Sequence, residues 1–157
     1  MPKFTLRPAE PKDAEFLFNV ILEAMKPVST FLRTEAFDYD KEFKEHLKKF
    51  ESEKVNVIQC EGKDIGRLRV VRSEDSIYIG GIQLLPSFQG LGIGTAIMSD
   101  LIRESEQLGI PILLEVHYVN EAALSFYTKL GFKEVNRLEK KLEMKYIPTN
   151  NISDNKS

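Results

Sequence analysis

The run Gln89-Gly90-Leu91-Gly92-Ile93-Gly94 constrains the fold of this chain more than any other feature. It follows an apolar run at 82–85 and precedes a segment at 95–108 whose apolar residues recur at helical spacing. Glycine lets the backbone adopt positive φ and approach a ligand closely. A helix N-terminus offers unpaired N–H groups and partial positive charge, both of which attract phosphate. The sequence therefore predicts a strand, a phosphate-binding loop and a helix in succession.

Composition and charge narrow the class of protein. The 157 residues suit one domain, which we place at 1–147, and the polar segment 148–157 is predicted to be a disordered tail. A net charge of −2 gives no support for nucleic-acid binding, which typically requires a basic domain. The single cysteine, Cys60, excludes an internal disulfide and favours a reducing compartment. No apolar run approaches about 18 residues, so we expect no membrane span and a cytoplasmic location.

Periodicity and chain breakers predict the order of the elements: a strand, two helices, three strands, a helix, a strand, a helix and two strands. A mixed sheet with helices on both faces, in the α/β class, follows from this order. Asp40 is interpreted as the N-cap of the second helix. His46 falls outside the apolar stripe of that helix and is expected at the surface. Asn120 is interpreted as the N-cap of the last helix.

The fourth strand, at 76–85, changes its buried face partway along. Ile77 and Ile79 share one parity, whereas Ile82 and Leu84 share the other, and the change falls at Gly80-Gly81. Because side chains alternate between the two faces of a strand, this change predicts a β-bulge or kink.

Two common nucleotide-binding motifs do not match the glycine run. A dinucleotide-binding loop requires a third Gly or Ala, but that position is Thr95 or Ile97 here, depending on which glycine begins the motif. A P-loop requires Gly-Lys followed by Ser or Thr, which is absent from the sequence at this point. The loop is therefore predicted to bind the phosphates of a different cofactor.

The glycine run resembles the Q-x-x-G-x-G/A pyrophosphate loop of the GNAT superfamily of N-acetyltransferases. A second segment, at 120–132, is similar to the family's N-x-x-A-x-x-F-Y-x-K-L-G-F motif, and it matches that pattern at every position from Asn120 to Phe132. Arg7-Pro8 and Asp13 also resemble the opening of the family. The resemblance covers about residues 4–146 in order and spacing.

This resemblance implies a GNAT-like fold, in which strands 4 and 5 splay apart, and acetyl-CoA as the acyl donor, with no metal. A kinked fourth strand agrees with such a splay, because parted strands leave backbone groups that an extended pantetheine arm could satisfy. The implied cofactor-binding residues are Leu84, Leu85, Gln89, Gly90, Leu91, Gly92, Ile93, Gly94, Thr95, Asn120 and Phe126.

The resemblance also implies direct acetyl transfer to a primary amine. Tyr127 occupies the position of the family's usual proton donor to the departing thiolate, and a phenol can serve as general acid. His117 follows the fifth strand and titrates in the range useful for a base or a substrate ligand. Gly80-Gly81 departs from the acidic residue that some members carry on this strand, so an ordered-water route for the proton is an alternative.

The acceptor pocket of this family is built from the N-terminal part of the chain, where Glu23 and Glu35 are candidate substrate ligands. We expect a small-molecule amine as the acceptor. Two alternatives are an amino group of a protein or peptide, and a sensor that binds acyl-CoA without turnover. Homodimers are common in the family, but the sequence identifies no interface.

Overall fold

The computed structural model describes residues 2–149, in which the predicted order of elements is confirmed. The strands are β1 (Phe4–Pro8), β2 (Val55–Cys60), β3 (Lys63–Arg72), β4 (Ile77–Leu84), β5 (Ile112–His117), β6 (Lys133–Arg137) and β7 (Lys141–Tyr146). The helices are α1 (Ala14–Met25), α2 (Tyr39–Lys49), α3 (Ile93–Leu108) and α4 (Glu121–Lys129).

The strands form one mixed sheet in the order β1-β2-β3-β4-β5-β7-β6, which confirms the predicted α/β class. β4 and β5 are parallel, and their pairing covers Ile77–Ile79 and Ile112–Leu114. Both strands extend beyond this pairing, β4 to Leu84 and β5 to His117. The pairs β1/β2, β2/β3, β5/β7 and β6/β7 are antiparallel.

The chain divides into two compact units, whereas the sequence predicts a single domain over 1–147, which stays a prediction. The first unit comprises the residues up to Arg69 together with Gly81–Gly94. The second comprises Val70–Gly80 and the residues from Thr95 onward. Among residues 2–149, no helix combines the length and the apolar character that crossing a membrane requires.

In the first unit, α1 packs on the strands through Leu17, which lies in a buried cluster with Val55 and Val57. The β2–β3 hairpin turns at Glu61 and Gly62, whose φ values are 51° and 80°. Positive φ at both central residues is typical of a type I′ turn, which matches the right-handed twist of the strands it joins.

Two expectations for α2 are wrong. The N-cap is Asp38, not Asp40, because the Asp38 side chain accepts a hydrogen bond from the Lys41 backbone N–H. His46 is half-buried rather than exposed. Its ring lies 5.1 Å from that of Phe18 on α1, between centroids, and its Nε2 atom is buried. α2 therefore faces α1 with an aromatic surface that includes His46. The apolar stripe predicted from the sequence of α2 did not include this residue.

In the second unit, the core is formed by apolar side chains of β4, α3, β5 and β7. They include Ile77, Ile97, Met98, Leu101, Ile112, Leu114, Val116, Leu142 and Met144. Ordered contacts extend beyond the predicted boundary at residue 147. Pro148 is fully buried, and Thr149 donates from its N–H and its hydroxyl to the Glu106 carboxylate, each at 3.0 Å. The rest of the predicted tail, 150–157, lies outside the described residues.

An ion-paired cluster fixes the start of the first unit. The Arg7 guanidinium donates two hydrogen bonds of 2.9 Å to Asp13, which is buried, and one of 3.0 Å to Asp64. The hydrogen bonds from Arg7 hold the pKa of Asp13 below its usual range. The carboxylate therefore contributes stability above its unfolded pKa, about 3.9, and loses that contribution as the pH falls through the lower folded value.

We expect Arg7→Met to lower the free energy of unfolding by about 2–3 kcal/mol at neutral pH, because it leaves the buried Asp13 carboxylate without its cation. Denaturant unfolding measures the loss. Adding Asp13→Asn to this variant should recover part of the stability, because it removes the unpaired charge. If the two substitutions lower stability additively, the pair does not interact as the geometry indicates.

Candidate active site

A glycine-containing loop connects β4 to α3. After Leu84 the chain forms a short 3-10 turn at Pro86–Phe88 and reaches the loop glycines. Gly90 has φ 76° and Gly92 has φ 90°, which side chains rarely tolerate, so both positions require glycine. α3 begins at Ile93, two residues earlier than the periodicity predicted.

The loop is exposed, but its connection to the helix is anchored. Gly90, Leu91 and Gly92 are exposed, whereas the Ile93 side chain is fully buried. An added Cβ at Gly90 would meet no atom within 4 Å. The first turn of α3, which includes Gly94, has backbone N–H groups with no partner inside the helix. This geometry suits an anion held by backbone donors.

The backbone at the end of β4 is partly committed to internal hydrogen bonds. The Leu85 N–H donates to the Ile65 carbonyl at 2.9 Å, and the Gln89 side chain donates to the Leu84 carbonyl at 2.9 Å. Neighbouring residues of a strand direct their N–H groups to opposite sides. The Leu84 N–H therefore points away from β3, and Leu84, rather than Leu85, is the candidate donor to a ligand.

Gly66 of β3 holds the end of β4 at close range. A Cβ at this position would lie 2.6 Å from the Gln83 carbonyl oxygen and 2.8 Å from Cδ2 of Leu84. Real Cβ atoms do not approach other atoms so closely, so any side chain here would displace the β4 backbone. Gly66 thus sets the position of Leu84.

Tyr127 lies on α4 in the second unit. Asn120 is confirmed as the N-cap of this helix, because its Oδ1 accepts from the Ala123 N–H at 3.1 Å. The Tyr127 side chain is buried, and its ring contacts those of Phe126 and Phe132 at centroid distances of 5.2 and 5.5 Å. Burial raises the pKa of Tyr127 to about 12. Its hydroxyl therefore keeps its proton throughout the neutral range and can act as a donor.

His117 is the last residue of β5 and lies opposite Lys141 in the pairing with β7. It is exposed, yet partial desolvation and, to a smaller extent, the positive charge of Lys141 lower its pKa. The imidazole is therefore neutral at neutral pH and able to accept a proton.

The two acidic candidates of the N-terminal part have ordinary surface environments. Glu23 is paired with Lys26 on the same helix, with 2.9 Å between Oε1 and Nζ. Glu35 is exposed in the turn that precedes α2. Nothing in these surroundings marks either carboxylate as functional, so both stay predictions.

Sequence reasoning missed Arg67 of β3. Its side chain is buried, and its Nη1 atom donates to Gln83 Oε1 at 2.9 Å. The position of Arg67 could have indicated its burial. Arg67 lies in a strand with apolar neighbours, and it pairs with Val57 of β2, which is fully buried. An arginine at a core-facing position is rare unless it has a partner. Within residues 2–149, no three His, Cys, Asp or Glu side chains converge as in a metal site.

Comparison with known proteins gives consistent matches. The model of the acetyltransferase (GNAT) family matches residues 19–132. A [ribosomal protein bS18]-alanine N-acetyltransferase of Escherichia coli (strain K12) is 35% identical over 82 residues, which cover 52% of this chain and 51% of that protein. An N-alpha-acetyltransferase of Sulfurisphaera tokodaii is 29% identical over 110 residues, covering 61% of this chain and 65% of that protein. The chain thus spans about half the length of the first of these relatives.

Solved structures share the fold at low sequence identity. The PaiA N-acetyltransferase of Thermoplasma acidophilum, solved in complex with coenzyme A, superposes with a TM-score of 0.66 at 20% identity, covering 92% of this chain and 99% of that one. The ribosomal-protein-S18-alanine N-acetyltransferase of Escherichia coli gives 0.62 at 23% identity, covering 92% and 94%.

Proposed function

Since this chain belongs to the acetyltransferase (GNAT) family, we propose that it transfers an acetyl group from acetyl-CoA to a primary amine. The observation that carries the proposal is the loop at the start of α3, with positive φ at Gly90 and Gly92 and open space beside Gly90. Backbone N–H groups at a helix N-terminus are suited to a pyrophosphate. In this proposal the pyrophosphate of acetyl-CoA is held by Gln89, Gly90, Leu91, Gly92, Ile93, Gly94 and Thr95.

The reactive end of acetyl-CoA is assigned to the end of β4. We assign the polarisation of the thioester carbonyl to the Leu84 N–H, because the Leu85 N–H donates to Ile65. One such donor is typically worth about 10²–10³ in rate. Asn120 and Phe126 are proposed as further contacts of acetyl-CoA, as the family motif implies.

The transfer forms a bond between the amine nitrogen and the acetyl carbon and breaks the carbon–sulfur bond, whose electrons leave with the thiolate. The nitrogen loses one proton. We assign the hydrogen bond to the departing sulfur to Tyr127, whose buried phenol is protonated at neutral pH. We assign the removal of the proton from the amine to His117, directly or through water, because its imidazole is neutral at neutral pH.

Two kinds of acceptor are in question. A small-molecule amine is our expectation from the sequence. The bS18-alanine N-acetyltransferase and the N-alpha-acetyltransferase to which this chain is similar favour the α-amino group of a polypeptide at least as much. A sensor that binds acetyl-CoA without turnover is the non-enzymatic alternative, which the proposed role of Tyr127 disfavours.

A panel of amines and N-terminal peptides, assayed by detection of free thiol, tests the proposal and separates the two acceptor classes. Acetyl-CoA should also raise the melting temperature. If millimolar acetyl-CoA produces no shift, the proposed donor is wrong. If it produces a shift but no acceptor in the panel releases thiol, the sensor alternative is favoured.

The role of His117 has a pH signature. We expect His117→Gln to lower kcat/KM about 10²-fold at neutral pH. The variant should also lack the acidic loss of activity expected of wild type, which lies below the ordinary histidine range because the pKa of His117 is lowered. Lys141→Met should move that acidic limb to higher pH, because the charge of Lys141 lowers the pKa of His117. A limb that is unchanged in both variants would assign the proton transfer to another group.

A further inference from the structure

Arg67 is a buried cation with no acidic partner among residues 2–149. Its side chain is 9% exposed, and the one hydrogen bond described for its guanidinium goes to the neutral Gln83 amide at 2.9 Å. Its Nε atom is buried and has no partner among these residues. Burying an uncompensated charge is strongly unfavourable, so buried charges are normally paired.

The other partly buried arginines of the chain follow that rule. Arg7 binds Asp13 at 2.9 Å and Asp64 at 3.0 Å. Arg69, two residues from Arg67 on the same strand, lies 3.5 Å from Glu51. Arg67 therefore differs from the chain's own pattern by having only an amide beside it.

The Arg67 guanidinium and the Gln83 amide lie close against the backbone of Gly81. A Cβ at Gly81 would lie 2.5 Å from Nη1 of Arg67 and 2.9 Å from Nε2 of Gln83, so only glycine is compatible with both donors in these positions. His46 Nε2, in the same unit, is a second buried polar atom that has no hydrogen-bond partner among residues 2–149. Burial lowers the pKa of His46, and the positive charge of Arg67 lowers it further.

We propose that Arg67 and Gln83 bind a carboxylate carried by the acceptor amine, which deepens the proposed acetyl transfer and rests on it. The planar guanidinium matches the two oxygens of a carboxylate, and a single buried positive charge is balanced by a single negative one. Gln83 directly precedes Leu84, the assigned donor to the thioester, and one strand residue spans about 3.3 Å. The carboxylate would thus bind a few ångströms from the reacting carbon.

A carboxylate in this place has two sources, a free amino acid or an acidic residue near the N-terminus of a peptide. The proposal also excludes a preference for polyamines, because their additional positive charges would be repelled by Arg67. Matched acceptors separate these cases: an amino acid against its amide, and a peptide with Asp or Glu at its second position against the same peptide with Asn or Gln.

The experiment compares wild type with Arg67→Met, with Arg69→Met as the matched control on the same strand. Wild type and the control should prefer the carboxylate member of a pair by tenfold to a hundredfold in kcat/KM, as expected for loss of a hydrogen bond to a charged group. Arg67→Met should lose that preference, through a lower kcat/KM for the carboxylate member of each pair. Gln83→Leu keeps the arginine and should weaken the preference for the carboxylate. It provides the test if Arg67→Met does not fold.

A binding measurement separates this proposal from the proposed function. N-acetylglycine at millimolar concentration should raise the melting temperature of wild type but not that of Arg67→Met, whereas N-acetylglycinamide should shift neither. If these melting-temperature shifts are seen but no acceptor is acetylated, the carboxylate site is supported and acetyl transfer is contradicted. Turnover without a preference between acid and amide contradicts the carboxylate site and leaves acetyl transfer intact.

Discussion

Replacing Tyr127 by phenylalanine is expected to lower kcat by about 10²-fold and to leave the KM for acetyl-CoA nearly unchanged. The substitution removes only the hydroxyl, and the ring keeps its packing against Phe126 and Phe132. The size of the effect follows from the role of the hydroxyl. With a pKa of about 12, the phenol would have to transfer its proton uphill to a thiolate of pKa about 8.5, at a cost of about 5 kcal/mol. Tyr127 is therefore expected to stabilise the leaving sulfur by hydrogen bonding rather than by full protonation.

The pH dependence separates this role from others. Because Tyr127 stays protonated to about pH 12, the variant should show a pH–rate profile of the same shape as wild type, lowered at every pH below about 10. Tyr146→Phe is a matched control, since the pKa of Tyr146 is also raised to about 12. Its hydroxyl donates to Glu106 at 2.6 Å, so this control should lose stability and keep its turnover. Equal rates for wild type and Tyr127→Phe would remove Tyr127 from the mechanism.

Gly90→Ala is expected to raise the Kd of acetyl-CoA by tenfold or more. An L residue at φ 76° is strained by about 1–2 kcal/mol, and relief of that strain moves the N–H groups that would hold the pyrophosphate. Loss of one hydrogen bond to a charged group costs about 1.5–3 kcal/mol, which corresponds to at least tenfold in affinity. Isothermal titration with acetyl-CoA measures the change.

The chain provides a closely matched control for this substitution. Gly62, in the β2–β3 turn, has φ 80°, and a Cβ there also meets no atom within 4 Å. Gly62→Ala should therefore cost about the same free energy of unfolding as Gly90→Ala, while the affinity for acetyl-CoA stays at the wild-type value. If both variants bind acetyl-CoA with equal affinity, the loop is not the pyrophosphate site.

The elements were predictable because their signals are local. Glu61-Gly62 sits between two apolar runs and indicates a hairpin, and both residues adopt the positive φ that the turn requires. Asn120 precedes an amphipathic run and caps it, as the sequence indicated. The parallel pairing of β4 with β5 followed from the helical connection between two apolar strands.

The errors arose where a long-range contact or a competing local candidate decided the outcome. Asp38 and Asp40 are both good N-caps by composition, and only the hydrogen bond to Lys41 distinguishes them. His46 looked polar along α2, but the neighbouring helix supplies Phe18, against which the ring packs. The predicted tail at 148–157 stays a prediction, and Thr149 at its start donates to Glu106, 43 residues away in sequence.

The candidate site was predictable to the extent that it consists of motifs. The loop glycines and Tyr127 stand in continuous patterns that can be read from the sequence alone. Arg67 belongs to no motif, and its significance depends on which side chains lie beside it on the neighbouring strand. No rule of spacing connects Arg67 with Gln83, 16 residues away, until β3 and β4 are placed side by side.

Gly66 and Arg67, neighbours on β3, should respond in opposite ways to directed evolution. Any side chain at Gly66 would press on the Gln83 carbonyl, so selection from a randomised library at this position should return glycine. The Arg67 side chain contacts an amide rather than a fixed ion-pair partner, so this position can change while the backbone of β4 stays in place. If Arg67 binds the acceptor as proposed, substitutions at Arg67 are the starting point for engineering new acceptors, and Gly66 should be left unchanged.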